Sequence, residues 1–93
     1  MKIGVFQICI RIPMANSLKE KRSYLKGTIQ RFSKKYNVSI AEVDLQDDWN
    51  NATLGVVCVS NEKRILENTL RKILDDIETI DGLELESYDE EYL

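Results

Sequence analysis

Apolar residues recur along this chain with two alternating periods, and those periods predict its elements. Within residues 2–12 every even position from 6 onward is apolar, which is the period of a strand with one buried face. The apolar positions then take a helical spacing that starts behind Ser17 and Glu20, a capping-box pair. This pattern predicts a helix over 17–36 whose buried stripe is Leu18, Leu25, Ile29, Phe32 and Tyr36.

The rest of the chain repeats the alternation between the two periods. Ser60 and Asn61 are predicted to cap the second helix, since both are residue types that favour helix starts. The remaining predicted elements are a strand over 38–44, a strand over 52–60, a helix over 62–80, a last strand over 83–88 and an acidic tail over 89–93.

The order of the elements defines a fold class. Strand, helix, strand, strand, helix, strand is the split βαβ pattern of the ferredoxin-like sandwich. We therefore predict a single α+β domain over residues 1–93, with an antiparallel sheet in the order 4-1-3-2 and both helices on one face. The chain has no further element to cover the other face of the sheet, so we predict that this face is open.

Charge is divided unevenly between the two halves of the chain. The formal net charge is only −3, but residues 1–41 contain nine Lys/Arg and one acid, whereas residues 42–93 contain four Lys/Arg and fifteen acids. A strongly basic surface attracts nucleic acid, an acidic partner or a second copy of the chain. Most of the cations lie on the first predicted helix: Lys19, Lys21, Arg22, Lys26, Arg31, Lys34 and Lys35.

The basic helix is predicted to contact ribosomal RNA or a ribosome-associated partner. Phosphate binding needs several cations on one rigid surface, which a helix supplies. These cations lie off the apolar stripe, so we expect the core not to need them. Two alternatives stay open: a protein partner, including a second copy of the chain, and a solvated helix face that offsets the acidic half. Base stacking on the sheet is excluded, because the open face of the first and third strands carries no aromatic residue.

The open face of the sheet is predicted to mediate self-association. A monomer seldom exposes an apolar patch of more than a few hundred Å², and a second copy is the simplest cover for one. The alternative is an exposed, moderately apolar face that Gln7 and Arg11 interrupt. The predicted interface of a homodimer consists of Val5, Gln7, Cys9, Val57 and Val59.

Catalysis has little support in the sequence. The chain contains no His, the commonest general base and a frequent metal ligand, and no P-loop or GxGxxG motif. Carboxylates at Glu42, Asp44, Asp47 and Asp48 could hold Mg²⁺ through oxygen ligands, but a solvated acidic turn is the favoured interpretation. We predict a non-enzymatic binding protein without cofactor or metal.

Further expectations concern Trp49, the two cysteines and the location of the protein in the cell. Trp49 either folds back on the core, which we favour, or anchors a partner from its polar loop. Cys9 and Cys58 lack CxxC spacing and are interpreted as free thiols in a reducing compartment. Without a run long enough to span a membrane or a signal-peptide cleavage site, we expect a cytoplasmic protein with no membrane partner.

Short motifs along the chain also resemble a known family. They are Ser17-Leu18-Lys19-Glu20-Lys21-Arg22, Ala41-Glu42-Val43, Gln46-Asp47 with Trp49, Ala52-Thr53-Leu54-Gly55-Val56 and Ser60-Asn61. Over residues 2–88 this set is similar to the YlxP-like family of small bacterial proteins, a family of unknown function. The resemblance implies a ferredoxin-like fold. It also implies a link to translation, because genes of this family often lie beside those of translation factors.

Overall fold

The strand β1 (Lys2–Arg11) lies inside the sheet and carries the centre of the core. Phe6, Ile8 and Ile10 are fully buried, and Ile12 just beyond the strand is buried as well. The odd-numbered side chains point to the opposite face and are exposed or half-buried. The predicted alternation of β1 is therefore confirmed. The protein is described here by a computed structural model that covers all residues, 1–93.

Five elements follow β1, and their arrangement confirms the predicted ferredoxin-like sandwich. The four strands form one antiparallel sheet in the order β2-β3-β1-β4. Both helices pack on one face, where their apolar stripes meet the buried side chains of the strands. The elements are α1 (Leu18–Lys35), β2 (Ser39–Asp44), β3 (Asn51–Ser60), α2 (Lys63–Thr79) and β4 (Glu84–Tyr92).

The helix α1 begins at the predicted capping box. The amide of Glu20 donates to Ser17 Oγ at 3.1 Å, which satisfies one of the free amides of the first turn. The Glu20 carboxylate in turn accepts from the amide of Asn16 at 2.7 Å. Leu25 and Phe32 on the buried stripe then fix α1 against the sheet. The start of this helix was correctly predicted from the sequence.

The start of α2 differs from the prediction. The N-cap is Glu62, and no side chain makes a capping hydrogen bond there. The Ser60 hydroxyl instead accepts from the amide of Glu62 at 3.2 Å, which closes a turn between β3 and the helix. Ser60 and Asn61 thus shape the connection and do not cap the helix. The buried stripe is as predicted: Leu66, Leu70, Ile73 and Ile77.

The predicted acidic tail is part of the sheet. The strand β4 continues to Tyr92, and backbone hydrogen bonds of 2.8 and 2.9 Å join Leu93 to Ile3. Tyr92 supplies the physical reason, because its ring packs edge-on against Phe6 at a centroid distance of 6.0 Å and lies under the Lys63 ammonium. The acidic composition of this segment concealed its strand character from the sequence-based prediction.

The C-terminal end of α1 is tied to α2 by a polar contact. The Asp76 carboxylate accepts from the hydroxyl of Tyr36 and from the Lys35 ammonium, the latter at 2.8 Å. These two hydrogen bonds lower the pKa of Asp76. Burial, followed by the hydrogen bond to Asp76, raises the pKa of Tyr36 to about 12. The folded protein therefore holds the Tyr36 proton more tightly than the unfolded chain does.

This tyrosine makes the stability of the fold sensitive to alkaline pH. The unfolded chain releases the tyrosine proton near pH 10, so stability from Tyr36 is complete below pH 10 and is lost as the pH rises towards about 12. We expect Tyr36→Phe to reduce the fall in the free energy of unfolding over this range, measured by urea unfolding at a series of pH values. Burial also raises the pKa of Tyr92, so part of the fall should persist. Equal slopes for wild type and variant would contradict this account.

Candidate nucleic-acid interface

The outer side of α1 presents a group of free cations, which we call the basic face. Their side chains are exposed, and none is within ion-pairing distance of a carboxylate. Glu20 is the one acid on this helix, and its carboxylate is engaged with the backbone. The basic face is thus positive without local neutralisation. It consists of Lys19, Arg22, Lys26, Arg31 and Lys34.

Helical geometry groups four of these cations together. At about 100° per residue, Lys19, Arg22, Lys26 and Lys34 fall within about a third of the circumference of α1. Along the axis they extend over roughly 22 Å, at about 1.5 Å per residue. Arg31 lies to one side of this strip. A rigid strip of this length is suited to several phosphates of a nucleic-acid backbone.

Lys21 does not belong to the basic face, contrary to the prediction. Its side chain is 1% exposed, and Nζ lies 2.8 Å from Glu42 Oε2 on β2. The same ammonium donates to the backbone carbonyl of Leu45 at 2.6 Å. The expectation that the core does not need Lys21 is wrong, because Lys21 lies one turn before Leu25 on the side of α1 that faces the sheet. The apolar stripe alone gave no sign that a charged residue joins it.

The negative charge of Glu42 is compensated by Lys21. The oxygen Oε2 is buried, and no well-aligned hydrogen bond reaches it, so the ammonium of Lys21 supplies its favourable electrostatic contact. Removing one partner of a buried ion pair leaves the other charge uncompensated. The pair therefore joins α1 to β2 and to the loop that follows it.

Lys35 is also engaged by a carboxylate of the protein. Its ammonium pairs with Asp76 on α2, although the side chain remains half exposed. Of the seven cations predicted to bind a partner, five are therefore exposed and unpaired, one is engaged at the surface and one is buried.

The loop 45–50 between β2 and β3 has a fixed conformation. The Asp48 carboxylate accepts from the amides of Asn50 and Asn51, and these hydrogen bonds lower the pKa of Asp48. The side-chain amide of Asn50 donates to the carbonyls of Ile12 and Ala15 at 3.0 and 2.8 Å. These contacts attach the loop to the connection that leads into α1.

Trp49 lies on the surface of this loop. The side chain is 51% exposed and is not part of the core, so the prediction that it folds back is wrong. Leu45 in the same loop is also exposed and takes a left-handed conformation with φ 62°. The hydrogen bonds from the Asn50 side chain that attach the loop reach backbone carbonyls distant in sequence, and no sequence pattern identified them.

Three of the four carboxylates near this loop have separate partners. Glu42 pairs with Lys21, while Asp44 Oδ1 accepts from the amide of Leu45 at 2.8 Å. Asp48 accepts from the loop amides, as described above. No three side chains of metal-ligating type are gathered into a group that could hold an ion.

The predicted dimer interface is gathered on the open face of the sheet. Register pairing places Val5 opposite Val57, and Cys9 opposite Thr53. Cys58 lies on the helix-covered face and is buried, so the two free thiols point to opposite sides. The open face therefore brings together all five predicted residues: Val5, Gln7, Cys9, Val57 and Val59.

These features define a class: a small ferredoxin-like α+β protein with a basic helix facing outward and an open sheet. The chain belongs to the family described as "Protein of unknown function (DUF503)", which it matches over residues 3–90. It is also similar to the uncharacterized protein YlxP of Bacillus subtilis (strain 168), with 39% identity over 70 residues. That alignment covers 75% of this chain and 76% of the relative. The resemblance inferred from the motifs is confirmed. Neither helix has the length and apolar composition needed to cross a membrane.

The buried pair predicts that Lys21 behaves differently from its neighbours on α1. We expect Lys21→Met to lower the free energy of unfolding by about 3 kcal/mol, because it leaves the Glu42 charge uncompensated. Lys19→Met, at an exposed position, should change it by less than about 0.5 kcal/mol. Adding Glu42→Leu to Lys21→Met should restore most of the stability. Urea unfolding of the double-mutant cycle provides the measurement, and similar effects for Lys21 and Lys19 would refute the structural role of the pair.

Proposed function

We propose that this protein is a non-enzymatic accessory factor that binds structured RNA, ribosomal RNA in the first place, through the basic face of α1. The observation that carries the proposal is the set of five exposed cations with no carboxylate in ion-pairing distance. Cations without internal partners keep their full attraction for an external anion, and a polyanion can engage several of them together.

The distribution of the remaining charges supports the same proposal. Five of the fifteen acids in residues 42–93 lie on β4, at the far edge of the sheet from β2. Asp89 and Glu91 point to the open face, opposite Gln7 and Val5, and away from the helices. A polyanion that approaches α1 from outside therefore meets cations before it meets this acidic strand.

The mode of binding follows from the geometry of the strip. Lysine and arginine side chains on a helix reach phosphate oxygens and do not require a base sequence. The sheet offers no aromatic platform on its open face, so base stacking there is not part of the proposal. Shape and phosphate spacing should therefore govern which RNA binds. The link to translation implied by the family resemblance makes ribosomal RNA the first candidate.

An acidic protein or a ribosome-associated protein is the second candidate for this surface. The same cations would pair with carboxylates at a protein interface. The two possibilities differ in the size of the salt dependence, because phosphate binding releases condensed counterions in proportion to the number of phosphates bound. An acidic protein surface has no such condensed layer, so its ion pairs are only screened by salt and the log–log slope is shallower.

The test compares two charge-matched variants. The first replaces Lys19, Arg22 and Lys26 by Gln, and the control replaces the exposed α2 cations Arg64, Arg71 and Lys72 by Gln. Both variants lose the same formal charge. Each should retain the wild-type circular dichroism spectrum, because all these side chains are exposed.

We expect the α1 variant to bind a structured ribosomal RNA fragment more weakly than wild type, measured by fluorescence anisotropy at several salt concentrations. Its log–log salt slope should be flatter by about 0.7–0.9 for every phosphate that the variant no longer binds. The α2 variant should keep most of the affinity and the wild-type slope. Equally weakened binding by the two variants would show that the affinity depends on the net charge of the protein and not on the basic face. Absence of binding by wild type at low salt would refute the RNA proposal.

A further inference from the structure

The open face of the sheet has a directional pattern that the proposed function does not use. At the end formed by the start of β1 and the finish of β3, its side chains are apolar: Ile3, Val5, Val57 and Val59. The register then proceeds to Gly55, which lies opposite Gln7. At the far end the face becomes polar, where Arg11 lies opposite Asn51.

A second pattern runs across the strands. On β4 the side chains that share the open face include Glu84, Asp89 and Glu91. On β2, at the other edge, Ser39 and Ala41 share this face and carry no charge, and Asp44 follows towards the polar end, opposite Thr53. Beside the apolar end, the face thus has an acidic margin along β4 and an uncharged margin along β2.

The apolar part of this face contains three large side chains that are about half exposed. Val57 and Val59 are 43% and 52% exposed, and Val43 is 49% exposed. Val43 also leans across Gly55, where a Cβ atom would lie 2.7 Å from Val43 Cγ1, so its side chain continues the apolar surface over the glycine. Flat, apolar sheet faces pack well against one another as the two layers of a sandwich.

We infer that the open face is the interface of a homodimer whose two-fold axis runs parallel to the strands. A face-to-face dimer has two simple choices of axis in the plane of the sheet. With an axis parallel to the strands, facing residues of the two copies have the same height, meaning the same position along the strands, and the strand order is reversed, so that β4 faces β2. With an axis perpendicular to the strands, each strand faces its own copy, and the height is reversed. The two patterns on this face distinguish these choices.

Both patterns favour the parallel axis. With that axis, the apolar end of one copy meets the apolar end of the other, and Val5 comes to lie over Val57 of the second copy. Glu91 and Asp89 on β4 then lie over the uncharged Ser39 and Ala41 on β2 of the second copy. With the perpendicular axis, the apolar ends would meet Arg11, and β4 would face β4, so that like charges oppose each other.

The available area is sufficient for such a dimer. Each strand residue occupies roughly 16 Å² of the sheet plane, so the face provides roughly 600 Å² on each copy. Two copies would bury roughly 1,200 Å² together, at the lower limit of stable, specific interfaces. The expected dimer is therefore weak, with dissociation at micromolar concentrations. It leaves both basic faces of α1 on the outside, and it does not depend on the RNA proposal.

Sedimentation equilibrium across micromolar concentrations tests the interface with two matched variants. Val57→Lys introduces a charge at the centre of the apolar end, and Ile65→Lys introduces the same charge on α2, where the side chain is 42% exposed. We expect wild type and Ile65→Lys to dimerise and Val57→Lys to be monomeric, all with the same circular dichroism. A wild-type chain that is monomeric throughout, or a dimer that survives Val57→Lys, would overturn the interface.

A third variant tests the direction of the axis through a gain in affinity. With the parallel axis, Ala41 lies over Asp89 of the second copy, since both residues share the height of Gln7. Ala41→Lys should then tighten the dimer about two- to five-fold at low salt, as expected for an exposed ion pair. With the perpendicular axis and full overlap of the two faces, the height reverses about Gln7, so the two new lysines would face each other. An unchanged or weaker dimer for Ala41→Lys would overturn the proposed orientation.

The reactivity of Cys9 gives an independent check of the same interface. Cys9 lies on the open face and Cys58 is buried, so a thiol reagent reaches Cys9 in the monomer and the dimer covers it. The rate of modification by a maleimide should therefore fall as the protein concentration rises through the range in which the dimer forms. The Val57→Lys variant should show no such fall. A rate for wild type that does not depend on protein concentration would contradict the interface.

Discussion

Coverage of the sheet on one face is the constraint on which the rest of this structure depends. Two helices provide enough apolar surface to bury one face of a four-stranded sheet, and the even-numbered residues of β1 form the centre of that contact. The same arrangement turns the other side of α1 towards solvent and leaves one face of the sheet open. Both surfaces with a proposed function are therefore direct consequences of how the core is formed.

Much of the fold could be predicted from the sequence because its signals are local. The alternation in β1, the Ser17–Glu20 box and the stripe of α2 each depend on residues within one element, and each was correctly identified. The strand character of residues 89–92 was missed because it depends on Tyr92 packing against Phe6, far away in sequence. An acidic composition is normally typical of a tail, and only the tertiary contact reverses that expectation.

The sequence predicted which element carries the candidate site, but not which residues belong to it. Charge and helical periodicity correctly placed the cations on α1, yet they could not separate Lys21 from Lys19. A lysine at the margin of an apolar stripe becomes buried only if a carboxylate and a free carbonyl meet it, and Glu42 and Leu45 come from a different part of the chain. Trp49 is a similar case, because distant hydrogen bonds hold its loop in an exposed position.

The central claim is that the two sides of the molecule have different tasks: the basic face of α1 binds RNA, and the open face of the sheet binds a second copy. Chemical-shift mapping by NMR on the wild-type chain tests both halves directly. Addition of structured RNA should shift the resonances of exposed residues in 19–34 and leave Val57 and Val59 unaffected. Dilution through the micromolar range should shift Val5, Val57 and Val59 and leave α1 unaffected. RNA-induced shifts centred on the open face would contradict the account.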